Sequence, residues 1–184
     1  MTLESKIISP AGEAISADNH QQQDIETMLM SVMSEGVMLK DIHGISDDMM
    51  EQMYSHAHHF YQQGRLDDAE SFFSFLCMYD LNNADYFIGL GAVNQLKKNY
   101  QKACDLYALA YVIAKDNFSP IFYSGQCQLL MGNFVKAMQC FDLICRRAND
   151  ESLKKKAKIY LQTIKNNRKD SEVKVCSEEK QEPK

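Results

Sequence analysis

One ten-residue pattern returns twice in this chain at an unchanging interval. It reads GRLDDAESFF from Gly64, KNYQKACDLY from Lys98 and GNFVKAMQCF from Gly132. Alanine therefore recurs at 69, 103 and 137, and an aromatic ring at 73, 107 and 141, each 34 residues after the last. A fixed period of this length constrains the fold more tightly than composition can. Each copy is one supersecondary unit that cannot bury its apolar face alone, so it must stack on a neighbour.

Within each copy the apolar spacing is helical. Ala69, Phe73 and Leu76 stand at i, i+4 and i+7, as do their counterparts Ala103, Tyr107 and Ala110, and Ala137, Phe141 and Ile144. A period of 34 identifies the tetratricopeptide repeat, a pair of antiparallel helices, and divides the chain into units 50–83, 84–117 and 118–151. Small residues are needed where the two helices of a pair touch. Ala57, Gly91 and Gly125 meet that need in the first helices, and Ala69, Ala103 and Ala137 in the second. Phe73, Tyr107 and Phe141 fill the wedge toward the next unit. Gly64 and Gly132 suit turns that require positive φ, a conformation Lys98 must adopt less comfortably.

The expected fold is all-α: an α-solenoid of three tetratricopeptide repeats over 46–151, with an N-terminal helix and a C-terminal capping helix. The capping helix is expected over 152–166, where Leu153, Ala157, Tyr160, Leu161 and Ile164 share a face and lysines lie away from it. The N-terminal helix is expected over 23–45. It is Met-rich and apolar on more than one face, which makes Met28, Leu29, Val32 and Met33 candidates for homodimerisation. Ser46 with Asp47 and Asp48 reads as the N-cap of the helix that follows. The polar segments 1–22 and 167–184 are expected to be disordered.

Composition closes off several function classes. The chain has 184 residues and a mean hydropathy of -0.38, and no run approaches the ~18 apolar residues of a membrane span. Its start shows no basic region leading into an apolar stretch, so a cytoplasmic location is expected. Cys77, Cys104, Cys127, Cys140 and Cys145 all fall in apolar helical runs without a CxxC pair, and read as free thiols acting as small hydrophobes. Net charge is -5, divided between an acidic first hundred residues and a basic remainder, an unfavourable balance for general nucleic-acid binding. The cluster SHAHHFY lacks the i, i+4 histidine pair of a helical metal site, and no phosphate loop or catalytic triad occurs. The reading is therefore no enzyme, no metal and no cofactor.

A repeat stack offers instead the face lined by its first helices. Positions 5, 9 and 12 of each unit point to that face: Tyr54, His58 and Tyr61; Ile88, Ala92 and Gln95; Phe122, Gln126 and Leu129. This lining is mostly apolar and aromatic, with a few groups able to hydrogen-bond a peptide backbone. It suits an extended segment carrying aliphatic anchors. A carboxylate terminus would want a basic clamp, and these positions supply no lysine or arginine.

The stretch EGVMLKDIHGISDDMMEQMYSHAHHFYQQGRLDDAESFFSFLCMYDLNNADYFIGLGAV, with ACDLYALAYVIAKDNFSPIFYSGQCQLLMGNFVKAMQCFDLI and DESLKKKAKIYL, closely resembles the class II chaperones of bacterial type III secretion systems, nearest the invasion-type branch. The resemblance implies a cytoplasmic chaperone that binds two hydrophobic translocator proteins separately and stabilises them before export. An extended segment near a translocator's N-terminus would lie in the concave repeat groove. By family position Tyr54, His58 and Tyr61 match groove sites that are usually aromatic, and His58 departs from that pattern. The alternative the resemblance implies is a co-activator: free of cargo, the protein would join an AraC-type transcription regulator.

Overall fold

The computed structural model describes residues 38–178, with side chains as far as Asn166. The described residues form eight helices and no strand: α1 Leu39–Ile42, α2 Asp47–Gln62, α3 Leu66–Tyr79, α4 Ala84–Leu96, α5 Tyr100–Ile113, α6 Ser119–Leu130, α7 Phe134–Arg147 and α8 Glu151–Glu178. They fall into two compact units, divided between Ile45 and Ser46.

In the first unit the helix expected over 23–45 is not continuous. Met38 has extended backbone (φ -84°, ψ 154°), and its N–H donates to Asp41 Oδ2 at 3.0 Å. The Asp41 carboxylate thus takes the amide that a helix running through Met38 would have used, and α1 begins at Leu39. Gly44, at φ 64°, ends it. Residues 23–37, including Met28, Leu29, Val32 and Met33, and the segment 1–22 lie outside the described residues.

The second unit holds α2 to α8. Ser46 Oγ accepts the Met49 N–H at 3.3 Å, and Asp47 and Asp48 complement the positive end of α2. The three hairpin turns are built alike. Gly64, Lys98 and Gly132 have φ of 75°, 63° and 76°. In each turn the next residue's N–H reaches back to a carbonyl five residues earlier: Arg65 to Phe60 at 3.0 Å, Asn99 to Asn94 at 2.9 Å, and Asn133 to Gln128 at 2.8 Å. Those bonds satisfy carbonyls the helix end would orphan, and they require a left-handed residue before them. Lys98 adopts it without a glycine's freedom.

Close approach of the two helices of each hairpin explains the small residues. A Cβ on Gly91 would sit 2.6 Å from the Tyr107 ring, and one on Gly125 would sit 2.9 Å from Phe141. Ala57, Ala69, Ala103 and Ala137 are wholly buried, as are the rings of Phe73, Tyr107 and Phe141. Gly89, which the repeat pattern did not single out, has the same function between units: a Cβ there would run into the Phe73 ring. Cys77, Cys104 and Cys127 are buried free thiols, with Cys140 and Cys145 half-buried. Burial pushes the Cys77 thiol up to about 12.

Between the first and second repeats the seam is ionic. Lys97 Nζ lies 2.6 Å from Asp67 and 2.7 Å from Glu70, and Lys102 Nζ lies 2.7 Å from Glu70. Hydrogen bonds from Lys102 and then Lys97 hold the Glu70 carboxyl down at about 2.

The capping helix is longer than expected. It runs to Glu178, past residue 166 and into the segment 167–184 expected to be disordered. No glycine or proline occurs between Glu151 and Glu178 to stop propagation, so loss of the apolar stripe does not end the helix. Residues 179–184 lie outside the described residues.

Candidate functional site

Spacing of 4 and then 3 residues puts positions 5, 9 and 12 of each first helix on one face. Tyr54, His58, Tyr61, Ile88, Ala92, Gln95, Gln126 and Leu129 are all half-buried. Each is held by the stack on one side and reaches solvent on the other, the exposure a binding surface needs.

At the α2 end the rings pack into a cluster. Tyr54 lies 4.5 Å centroid to centroid from His58, 5.4 Å from Tyr86 and 6.0 Å from Phe73. His58 also stands edge-on to Phe73 at 5.4 Å, so its imidazole occupies an aromatic position as an aromatic ring. The Tyr54 hydroxyl is raised above its ordinary value, first by burial and then by the negative charges of Asp85 and Glu51. In the middle, Gln95 Oε1 accepts the Tyr107 hydroxyl at 2.9 Å. That bond fixes the amide and leaves its N–H₂ group as a donor for a ligand.

Phe122 behaves differently from the other eight: it is only 7% exposed. The Tyr160 ring of α8 stands edge-on to it at 5.3 Å, and Phe141 packs against it at 5.6 Å. Gln126 Nε2 donates to the Tyr160 hydroxyl at 2.9 Å. Phe122 is thus a supporting ring, and Tyr160, half-buried, takes its place at the surface.

The reason is register. Counted in steps of 34, a fourth unit would start at 152, which puts Lys156, Tyr160 and Thr163 at positions 5, 9 and 12. Contacts agree with this count. Ala157 at position 6 is wholly buried with Phe141, as Gly89 at the same position is against Phe73. The capping helix is therefore a fourth first helix, and it extends the face formed by positions 5, 9 and 12. The signal was present in the spacing, but the lysine run masked it as a solvated surface.

The three histidines of SHAHHFY diverge. His56 faces the Phe72 ring at 6.4 Å, His58 joins the Tyr54 cluster, and the His59 ring lies 2.8 Å from the Gln63 amide. Among the described residues no group of three His, Cys, Asp or Glu side chains could hold a metal ion, and no helix is long and apolar enough to cross a membrane.

Comparison with known proteins gives a consistent picture. The tetratricopeptide repeat family model matches residues 50–83 and 85–117. Chaperone protein SicA of Salmonella typhimurium is 53% identical over 148 residues, spanning 80% of this chain and 90% of SicA. Among solved structures, the Yersinia enterocolitica type III secretion chaperone SycD, in complex with a peptide of the translocator YopD, aligns with a TM-score of 0.62 at 30% identity, covering 67% of this chain and 98% of that one. PcrH of Pseudomonas aeruginosa, in complex with the chaperone binding region of PopD, aligns with a TM-score of 0.62 at 30% identity, covering 68% and 97%.

Proposed function

This chain belongs to the SicA-like family of type III secretion translocator chaperones, and we propose that it holds two hydrophobic translocators, one at a time, by an extended segment near the N-terminus of each. The segment lies across the face formed by positions 5, 9 and 12 of the repeats. The observation that carries this reading is the half-exposed ring and aliphatic lining, Tyr54, Tyr61, Ile88 and Leu129 above all, in a chain whose relatives are solved with translocator peptides.

The energetics fit a holding function. Three aliphatic anchors at ~1.5–3 kcal/mol each supply roughly 4.5–9 kcal/mol of gross burial. Ordering a flexible segment removes several kcal/mol of that. Moderate, reversible affinity results, which a chaperone that must release its cargo for export requires.

The test is co-expression with a translocator. Soluble complex is expected with the wild-type chain, and Tyr54→Ala combined with Tyr61→Ala should abolish it while helicity is kept. Intact binding by that double variant would place the cargo elsewhere. A cytoplasmic location and a homodimer formed through Met28, Leu29, Val32 and Met33 belong to the same proposal. Co-activation of an AraC-type regulator is a separate proposal resting on family likeness alone. A reporter in a strain without translocators tests it, and no dependence on this chain would remove it.

A further inference from the structure

The binding face carries opposite charge at its two ends. At the α2 end Glu51 and Asp85 flank Tyr54, and Asp47 and Asp48 open the same helix. In the middle, positions 5, 9 and 12 of α4 and α6 bear no charge, and the whole of α6, SPIFYSGQCQLL, has no ionisable acid or base apart from its tyrosine and thiol. At the far end α8 contributes Lys156.

Helix geometry settles the side on which Lys156 lies. Leu153, Ala157 and Ile164 form the buried stripe of α8. Lys154 flanks that stripe on the α7 side, where its carbonyl lies 4.0 Å from Cys145 Sγ. Tyr160 flanks it on the α6 side, against Phe122 and Gln126. Lys156 is four residues before Tyr160 and shares its flank. Of the two acids at the start of α8, Asp150 accepts the Ser152 and Leu153 amides at 2.8 and 3.2 Å, and Glu151 is engaged by Lys154 at 2.8 Å. Lys156 is exposed and has no carboxylate partner among the described residues.

We propose that Lys156, with Tyr160 and Thr163 beside it, forms a fourth subsite that binds a side-chain carboxylate of the cargo segment. The inference rests on the groove reading above and deepens it. The occupant is an extended peptide with aliphatic anchors for the first three helices and an Asp or Glu at the end that meets α8. Charge complementarity then sets direction, since the acidic α2 end repels that carboxylate and the α8 end attracts it. One exposed ion pair contributes little affinity, so its main effect is on register and polarity.

The probe is a phage-displayed library of random twelve-residue peptides, selected on the full-length wild-type chain and on Lys156→Glu. Both proteins should show the same helicity by circular dichroism, because Lys156 is a surface residue. On the wild type we expect enriched peptides with spaced aliphatic residues and an Asp or Glu biased to one end. On Lys156→Glu the aliphatic pattern should remain while the end bias changes to Lys or Arg. A synthetic peptide from the wild-type selection should lose about threefold to fivefold in affinity when its acid becomes the amide, and 1 M salt should erase that difference. Aliphatic enrichment without an acidic bias, or an acidic bias unchanged by Lys156→Glu, overturns the fourth subsite and leaves the groove reading standing. Enrichment of peptides lacking aliphatic anchors overturns both.

Discussion

The seam between the first and second repeats and the seam between the third repeat and α8 occupy the same place in the repeat, yet they are made of different chemistry. At the first, Asp67 and Glu70 of α3 are bridged by Lys97 and Lys102 over the buried Phe73 ring. At the last, the positions of Asp67 and Glu70 are held by Val135 and Met138, and the joint is three rings, Phe122, Phe141 and Tyr160, at 4.9–5.6 Å. The period thus dictates where helices meet, while the residues at the meeting place decide what can loosen it. Protons and salt act on the first seam. The last is held by ring packing and by the neutral hydrogen bond from Gln126 to Tyr160.

The strongest way to break the contrast is to remove the ring at the centre of the aromatic seam. Phe141 is wholly buried, so Phe141→Ala should cost about 3–5 kcal/mol. The urea midpoint should fall accordingly, and amide exchange in α8 should rise far more than in α2 or α3. A small loss with α8 still protected would mean that Leu153 and Ile164 hold the helix without the rings.

The apolar base of the first seam is probed by Gly89→Ala. An added methyl ordinarily raises helix propensity by up to about 1 kcal/mol. Here it overlaps the side of the Phe73 ring, itself fully buried, so the ring or the helix must shift. Overpacking of this kind costs about 1–3 kcal/mol, so a net loss of about 1–2 kcal/mol in denaturant melts is expected. A stabilised variant would show that the ring can yield.

Much of this was legible in the chain, because a 34-residue period fixes helices, hairpins and packing rings together. The hairpin turns, the alanine and glycine contacts and the Ser46 cap all follow from local spacing. Three features did not. Gly89 lies between units, and a pattern read within one unit gives it no role. Tyr160 and Lys156 belong to a fourth interval that the lysine-rich composition of α8 disguised as solvated surface. The start of α1 just after Met38 depends on the Asp41 carboxylate capturing one amide, a capping choice that hydrophobic periodicity does not register. The same blindness made Phe122 look open, since its burial comes from a helix beyond the last full repeat.

Acid should distinguish the seams at a smaller scale. The Glu70 carboxyl sits at about 2 against an ordinary 4.5. Its contribution is therefore complete above about pH 4.5 and is lost as pH falls from there toward 2. Glu70→Gln should cost about 0.5–1 kcal/mol near neutrality and nothing further below pH 2, so the acid limb of the stability profile should flatten. In 1 M salt the two proteins should converge. An acid limb unchanged by the substitution would transfer that sensitivity to other carboxylates.

The smallest expected effect separates the turns from the seams they serve. Lys97, the centre of the ionic seam, stands immediately before Lys98, whose φ of 63° costs a residue with a Cβ about 1 kcal/mol. Glycine relieves that strain and gives back part of the gain through its freer unfolded chain. Lys98→Gly should therefore stabilise the protein by about 0.5 kcal/mol, raising the melting midpoint by a few degrees at most. The gain should persist at pH 3 and in 1 M salt, because it arises in the backbone and not in the charges beside it. A gain that vanished with salt would mean that the positive φ at Lys98 is imposed by the ionic seam, and that the middle turn and the first seam are one device.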